Sequence, residues 1–157
     1  MQYSLSILKT AEFRAELPLV MPNSPSAARS PRSIEVPGVT HGSAPIPMGA
    51  RVGNILYSSG VMGKDPATGE LPAEGTAQAK FMFRNLRTLL DNGGATLADV
   101  VRITVFVKDN GQREAINAEW LKCFPDPHDR PARHMQVVDL TGGMLVQLEA
   151  VAVIQER

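Results

Sequence analysis

Apolar residues recur at every third or fourth position through residues 76–90, with charged side chains between them. This spacing predicts an amphipathic helix, because residues three and four apart lie on the same helix face. Residues 91–94, DNGG, follow the segment, and glycine is favoured directly after a helix. Residues 113–124 have a similar spacing and predict a second helix.

Strand signals stand before each predicted helix. Residues 55–59 predict a strand that is entered through a hairpin turn at residues 51–54 and closed by Gly60. Residues 100–107, VVRITVFV, give the strongest strand signal of the chain, because β-branched and aromatic residues favour strands. Charged or polar residues alternate with apolar ones within this segment, which predicts that one of its faces is partly exposed.

The last part of the chain, residues 130–154, predicts two strands that pair as a hairpin through a turn at residues 141–143. Pro131 suits the start of the first strand, because proline has no N–H for a ladder. Arg133 follows it, and Glu149 lies in the second strand among small and apolar neighbours. Such a strand is typically covered on both faces, so we expect a buried Glu149, and a buried carboxylate needs a partner or a use.

The order of these elements predicts an α+β domain with a mixed sheet and two helices on one face. The connections that contain helices are long enough for parallel strand pairing. Val-rich strands without a second helical layer would leave apolar sheet surface uncovered on the other face. We therefore expect another subunit to cover it, so that the protein is an oligomer.

A chain of 157 residues with 43% apolar residues suits one globular domain. Residues 1–37 differ from the rest, because residues 21–33 are rich in proline, serine and arginine. We predict a flexible N-terminal arm or linker at residues 1–37, with a docking arm as the alternative, and one domain at residues 38–157.

Charge and composition exclude several classes of function. Sixteen basic residues balance sixteen acidic ones, so the chain has no excess of positive charge for binding nucleic acid. One cysteine excludes an internal disulfide, and three scattered histidines give no metal-ligand spacing. No apolar run approaches the roughly 20 residues of a membrane span. We expect a cytoplasmic protein without a structural metal and without membrane contact.

Six segments together resemble the reactive-intermediate deaminase family, also called Rid or YjgF. Each segment is a weak signal alone, but six in this order are specific, and they cover roughly residues 45–155. The segments are VGNILYSSG (52–60), DPATGEL (65–71), ADVVRITVFVKD (98–109), INAEW (116–120), RPAR (130–133) and VQLEAVAV (146–153).

The resemblance implies a chorismate-mutase-like fold, whose sheets form a homotrimeric barrel with clefts between the subunits. Characterised members of the family hydrolyse enamine and imine intermediates of amino-acid metabolism, which releases ammonia and leaves a 2-oxo acid. The resemblance implies neither a metal nor an organic cofactor. The expected partners are therefore a small carboxylate-bearing substrate and further copies of the chain.

Four residues match functional positions of the family. Arg133 matches the arginine that binds the substrate carboxylate, a task that suits the planar guanidinium. Glu149 matches the acidic residue that positions or activates water. Asn117 matches an asparagine at the edge of the cleft, and Gly60 a glycine whose backbone approaches the ligand.

Three positions depart from the family pattern. Ile46, in the segment APIP, stands where active deaminases carry a tyrosine. Met135 stands where deaminating members often carry a cysteine, and Val61 where a glutamine is common. These residues predict a more apolar pocket and favour a bulkier or aromatic-pathway substrate such as an aminomuconate.

Alternatives remain open for the charged residues and for the function. Arg133 and Glu149 could form a structural salt bridge across neighbouring strands, and Asn117 could be a surface residue. His134 is expected on the side opposite Arg133, whereas His41 could reach the cleft. A carboxylate-binding or chaperone-like member without turnover is the second function, and a ribonuclease or translation inhibitor, disfavoured by the neutral charge, is the third.

Overall fold

The computed structural model describes residues 30–155, which form seven strands and two α-helices. Two short 3-10 helices, Leu97–Asp99 and Asn110–Gln112, precede β5 and α2. The elements are β1 (Ser33–Ile34), β2 (Gly49–Val52), β3 (Ile55–Ser58), β4 (Val61–Met62), α1 (Gly75–Asn92), β5 (Val100–Val107), α2 (Arg113–Cys123), β6 (Ala132–Val137) and β7 (Val146–Val153).

The strands form one mixed sheet in the order β1-β2-β3-β7-β5-β6, with β4 paired to β7. Strands β5 and β6 run parallel, and the other strand pairs are antiparallel. The chain passes through α2 between β5 and β6, as a parallel connection requires. The predicted α+β fold with a mixed sheet and two helices on one face is confirmed.

The predicted hairpin at residues 130–154 is wrong, because β5 lies between β6 and β7. Strand β5 pairs with β6 on one side and with β7 on the other. The turn itself is present, since Gly142 and Gly143 have positive φ angles of 65° and 82°. The connection crosses the end of β5, where Val138 N–H donates to Val107 O at 3.0 Å. A sequence turn signal does not specify which strands pair.

The helix-covered face of the sheet contains the core. Residues of β7 alternate strictly, so that Val146, Leu148, Ala150 and Ala152 are buried against the helices. Their neighbours along the strand point to the other face, as the two-residue period of a strand requires. Helix α1 contributes Ala79, Met82, Phe83, Leu86, Leu89 and Leu90 to this core.

Two buried amides of α1 fix loops that frame the sheet. Gln78 donates from Nε2 to Gly143 O at 2.9 Å, and its Oε1 accepts from Leu145 N–H at 2.8 Å. Asn85 donates from Nδ2 to Met62 O at 3.0 Å. These buried polar groups satisfy backbone atoms that the sheet leaves unpaired.

The second face of the sheet, here called the open face, is covered by no helix of residues 30–155. Its apolar side chains include Val52, Ile55 and Tyr57, whose exposed fractions are 61%, 46% and 59%. An apolar surface of this kind commonly marks an interaction site. The uncovered face expected from the sequence is therefore present in the single chain.

The folded unit begins earlier than the predicted boundary. Ser33 and Ile34 pair with β2, and Ile34 and Val36 are buried. Ser33 and Ile34 thus belong to the sheet, and Ile34 and Val36 to the core, although all three residues precede the predicted start of the domain at residue 38. The rest of the predicted arm up to residue 29, and residues 156–157, lie outside the described residues.

Within residues 30–155, neither helix is both long and apolar enough to span a bilayer.

Candidate functional site

Arg133 is held at the edge of the sheet by two side chains of α2. Its Nη2 donates to Asn117 Oδ1 at 2.8 Å, and its Cζ lies 4.6 Å from the centroid of the Trp120 ring. The first contact is a charged hydrogen bond and the second is a cation–π interaction. Together they fix the direction in which the guanidinium points.

The sequence places these three residues together through two periodicities. Asn117 and Trp120 are three residues apart on α2 and therefore share one helix face. Arg133 pairs in register with buried Ile103 and so faces the helices. Since β6 is an edge strand, the long side chain of Arg133 extends beyond the core and remains exposed.

No carboxylate of the described residues contacts the Arg133 guanidinium. The ion pair found among these residues joins Lys122 and Glu119. Partial burial and then the positive charge of Arg113 lower the pKa of Arg133. An arginine still stays protonated at neutral pH. Its unused N–H groups can therefore donate hydrogen bonds to a carboxylate from outside the chain.

Glu149 lies on the open face and is exposed, so the expectation that it is buried is wrong. The apolar neighbours of Glu149 in β7 divide between the two faces of the strand, and only the helix-facing face is covered by this chain. Glu149 pairs in register with Thr104 of β5, which pairs in turn with His134 of β6. His134 therefore shares the face of Glu149 and points away from the side of Arg133, as predicted.

The alternative of a salt bridge between Arg133 and Glu149 is wrong. The two residues lie on opposite faces of the sheet, and β5 separates their strands. Hence one chain cannot bring both charges to one small ligand. Within the described residues, the structure gives the Glu149 carboxylate no hydrogen-bond or ion-pair partner.

Gly60 lies where the chain leaves β3 and before β4 begins, close to the strand of Glu149. A Cβ at Gly60 would come within 2.6 Å of Gln147 Nε2, so a larger residue requires that side chain to move. Opposite this break, Ala150 N–H donates to Ser58 Oγ at 2.8 Å. Gly60 and Glu149 thus approach the same break in the ladder.

Ile46 lies in the loop before β2, with an exposed fraction of 52%. The loop is fixed by Ser59, which donates from Oγ to Pro47 O at 2.7 Å and from N–H to Met48 O at 2.8 Å. Ser59 precedes Gly60, so Ile46 belongs with Gly60 and Glu149 rather than with Arg133.

Met135 belongs with the arginine. It pairs in register with Val105 and packs partly buried against the core on the helix side of β6. The candidate residues therefore form two groups. The first, the arginine group, contains Arg133, Asn117, Trp120 and Met135. The second, the glutamate group, contains Glu149, Gly60 and Ile46.

Other titratable side chains are poor candidates for catalysis. Burial raises the pKa of the Cys123 thiol, which opposes formation of the thiolate nucleophile. Burial and then the positive charge of Lys64 lower the pKa of His41, which disfavours the imidazolium form that a general acid needs. Among residues 30–155, no three His, Cys, Asp or Glu side chains are grouped to hold a metal ion.

Arg113 lies outside the sequence motifs, and Trp120 enters them only as the last residue of the segment INAEW. Arg113, Asn117 and Trp120 follow each other at helical spacings of four and three. This spacing was readable from the chain, because such residues form a stripe along one helix face. It could not be interpreted before the register of β6 placed Arg133 beside the stripe.

Comparisons with known proteins agree with this fold and these motifs. Residues 44–154 match the protein family described as Endoribonuclease L-PSP. Over 105 residues the chain is 38% identical to a RutC family protein of Haemophilus influenzae, an alignment that covers 65% of this chain and 81% of the relative. Over 111 residues it is 33% identical to the 2-iminobutanoate/2-iminopropanoate deaminase of Escherichia coli K12, covering 69% of this chain and 87% of the relative.

Solved structures give the same result. The crystal structure of the YjgF gene product of E. coli matches with a TM-score of 0.71 and 30% identity, covering 79% of this chain and 99% of that chain. The structure of E. coli TdcF with bound serine matches with a TM-score of 0.71 and 26% identity, also covering 79% of this chain and 99% of that chain.

Proposed function

The chain belongs to the Endoribonuclease L-PSP family, the Rid or YjgF family indicated by its motifs, and on that premise we propose that it is a hydrolytic deaminase. Its substrates are enamine or imine intermediates, and its products are ammonia and a 2-oxo acid. The observation that carries the proposal is the oriented guanidinium of Arg133, which has no carboxylate partner among the described residues. A curated deaminase that is 33% identical supports the reaction class.

The site forms between copies of the chain in this proposal. Because Arg133 and Glu149 lie on opposite faces of one sheet, a ligand that touches both must bind at an interface. The open face supplies an apolar surface for that interface, with Val52, Ile55 and Tyr57 exposed. A closed homotrimer would bury the surface of every copy and repeat the site at each interface.

The proposed chemistry needs one anion contact and one proton acceptor. Arg133 binds the substrate carboxylate and holds the imine carbon near Glu149 of a neighbouring copy. Glu149 accepts a proton from water as the water oxygen bonds to that carbon. That proton passes to the nitrogen and gives a tetrahedral carbinolamine. The carbinolamine hydroxyl then loses its own proton, which the nitrogen takes up, and the C–N bond breaks to release ammonia and leave a carbonyl group.

The remaining candidate residues shape the pocket. Gly60 has no Cβ, which lets the Gln147 side chain pack close to its backbone, and in this proposal a ligand approaches the same backbone. Asn117 holds Arg133 at the cleft edge. Ile46 and Met135 supply apolar surface in place of a phenol and a thiol. We infer that this pocket favours a bulkier or aromatic-pathway substrate, such as an aminomuconate, over the small imines.

Ammonia release from enzymatically generated imino acids and aminomuconate-type enamines tests this function. We expect turnover by the natural chain and a loss of about 10²–10⁴-fold in Glu149→Gln, the range of a general base. Arg133→Ala should lose a comparable part of the activity, because it removes the group that binds the substrate carboxylate. Glu35→Gln and Arg32→Gln make the same charge changes at exposed residues near the opposite edge of the sheet and should keep full activity. Preference for 2-iminobutanoate would refute the inference of a bulkier substrate.

A carboxylate-binding member without turnover is the second candidate, and Ile46 in place of the family tyrosine favours it. Calorimetric binding of carboxylates that depends on Arg133, without ammonia release from any substrate, would establish it. Ribonuclease action ranks third, because the chain has a net charge of zero. Cleavage of RNA that survives Arg133→Ala and Glu149→Gln would overturn this order.

A further inference from the structure

We propose that Arg113 is a second anion contact beside Arg133, so that the substrate carries a second anionic group in addition to its imino-acid carboxylate. This inference rests on the proposed function and specifies its substrate class as dicarboxylate imines or enamines. Arg113 would then be a specificity-determining residue, whereas the reaction itself would still depend on Arg133 and Glu149.

Arg113 lies one helical turn from the side chain that holds Arg133. It is the first residue of α2, and Asn117 follows at the fourth position after it. Residues at this spacing are neighbours on a helix surface, with about 5–6 Å between their Cβ atoms. Since Asn117 Oδ1 accepts from Arg133 at 2.8 Å, Arg113 shares one face of α2 with the side chain that binds Arg133.

The Arg113 side chain is fixed at its inner end and available at its outer end. Its Nε donates to Asn110 Oδ1 at 2.9 Å, which orients the guanidinium. Within residues 30–155, neither arginine has a carboxylate in ion-pair contact. Burial and then the positive charge of Arg113 lower the pKa of Arg133, so the two guanidinium groups lie within electrostatic reach of each other.

Two like charges held near each other without a counter-ion repel, and a bound anion relieves that repulsion. The acidic residues nearby in sequence are Asp109, whose Oδ1 accepts from Gly111 N–H at 2.7 Å, and Glu114, which lies about 100° around the helix from Arg113. Within residues 30–155, neither carboxylate forms an ion pair with Arg113. The local field therefore favours an anion on the side of the two arginines.

A substrate with one carboxylate binds Arg133 and leaves Asn110 as the hydrogen-bond partner of Arg113. A substrate with carboxylates at both ends of a short chain satisfies both guanidinium groups, and each contact would be a charged hydrogen bond. Discrimination of this kind acts mainly on binding, because both carboxylates persist unchanged through the reaction. The expected signature is thus a change in KM rather than in kcat.

The test compares imines that amino-acid oxidases generate in situ from glutamate and from 2-aminobutanoate. We expect the natural chain to favour the dicarboxylate imine, and Arg113→Gln to raise its KM by about tenfold or more, the effect of one lost charged hydrogen bond. The monocarboxylate imine should be turned over equally by both proteins. Arg113→Lys should retain part of the preference, and Arg32→Gln, which removes one positive charge at the opposite sheet edge, should retain all of it.

The outcomes separate this inference from the proposed function. If both imines react and Arg113→Gln leaves the dicarboxylate KM unchanged, the second contact is refuted and the deaminase stands. If neither imine reacts, deamination of such imines is refuted, and calorimetry with glutarate and butyrate decides the second contact. Tighter binding of glutarate that is lost in Arg113→Gln supports it, and equal affinities refute it.

Discussion

The two faces of one strand, β7, have different tasks. Its residues Val146, Leu148, Ala150 and Ala152 are buried under the helices, whereas Gln147, Glu149, Val151 and Val153 face the side that no helix covers. Because side chains alternate between the two faces of a strand, the first set of residues stabilises the core and the second set is free to contact other molecules. The carboxylate proposed for catalysis is therefore placed by the residues that form the core, although it does not itself touch the core.

The two groups of candidate residues differ in the same way. Arg133 is held by Asn117 and Trp120 of its own chain. Glu149 is exposed, and only its backbone is fixed, by pairing with β5. The arginine group is thus organised before assembly, whereas the side chain of Glu149 would be ordered by a neighbouring copy. Under the proposed function, each chain supplies two half-sites that it cannot combine.

The largest effect is expected from mixing two inactive variants. Arg133→Ala and Glu149→Gln should each lack activity, but reassembly of an equal mixture should restore about a quarter of the sites, because a site needs one intact group from each of two copies. Ammonia release before and after denaturation and joint refolding measures this recovery. Each variant refolded alone is the control.

Recovery from the mixture would require that the two groups come from different copies. A mixture that stays inactive, although native mass spectrometry finds mixed oligomers, would mean that both groups act within one copy and that the division between the faces has no catalytic meaning.

The next largest effect separates the faces by stability. Leu148→Ala removes a fully buried side chain and should lower the free energy of unfolding by about 2–5 kcal/mol. Tyr57→Ser removes an exposed ring from the open face and should leave the fold of a single copy intact while it weakens assembly. Urea unfolding and analytical ultracentrifugation measure the two effects.

A reversed result would refute this assignment of the faces. Suppose that Tyr57→Ser unfolds the chain and that Leu148→Ala leaves the free energy of unfolding unchanged. The open face would then be part of the core of one copy. A monomer at all concentrations in the natural chain would refute the role of the open face in assembly.

The sequence predicts elements well in this chain because their signals are local. Helix α1 was expected at residues 76–90 and spans Gly75–Asn92, and β5 was expected at the residues it occupies. The pairing of β6 could not be predicted, because strand order depends on contacts between distant segments. The insertion of β5 between β6 and β7 turned an expected hairpin into a crossover.

The candidate site was predictable as residue types but not as an arrangement. Arg133 and Glu149 were identified from motifs, yet their separation follows from the order of three strands. Burial of Glu149 was inferred from apolar neighbours on both sides, and those neighbours divide between a covered face and a face that this chain leaves open. Composition cannot distinguish a surface covered by the same chain from one left for another copy.

The smallest effect is expected at Trp120, which positions Arg133 without touching the substrate. The indole is buried, packs against Phe124 with 4.6 Å between ring centroids, and supports the guanidinium of Arg133 on its face. Trp120→Phe keeps an aromatic face and should change KM little. Trp120→Leu removes it and should raise KM about two- to fivefold with kcat unchanged, the effect of an exposed cation–π contact worth about 0.5–1 kcal/mol. Steady-state kinetics are measured well below the Tm of each variant. The protein is then folded, so a change in KM reports the orientation of Arg133 and not a loss of packing. A fall in kcat without a change in KM would mean that the ring does not orient the carboxylate contact, and that Asn117 alone holds Arg133 in place.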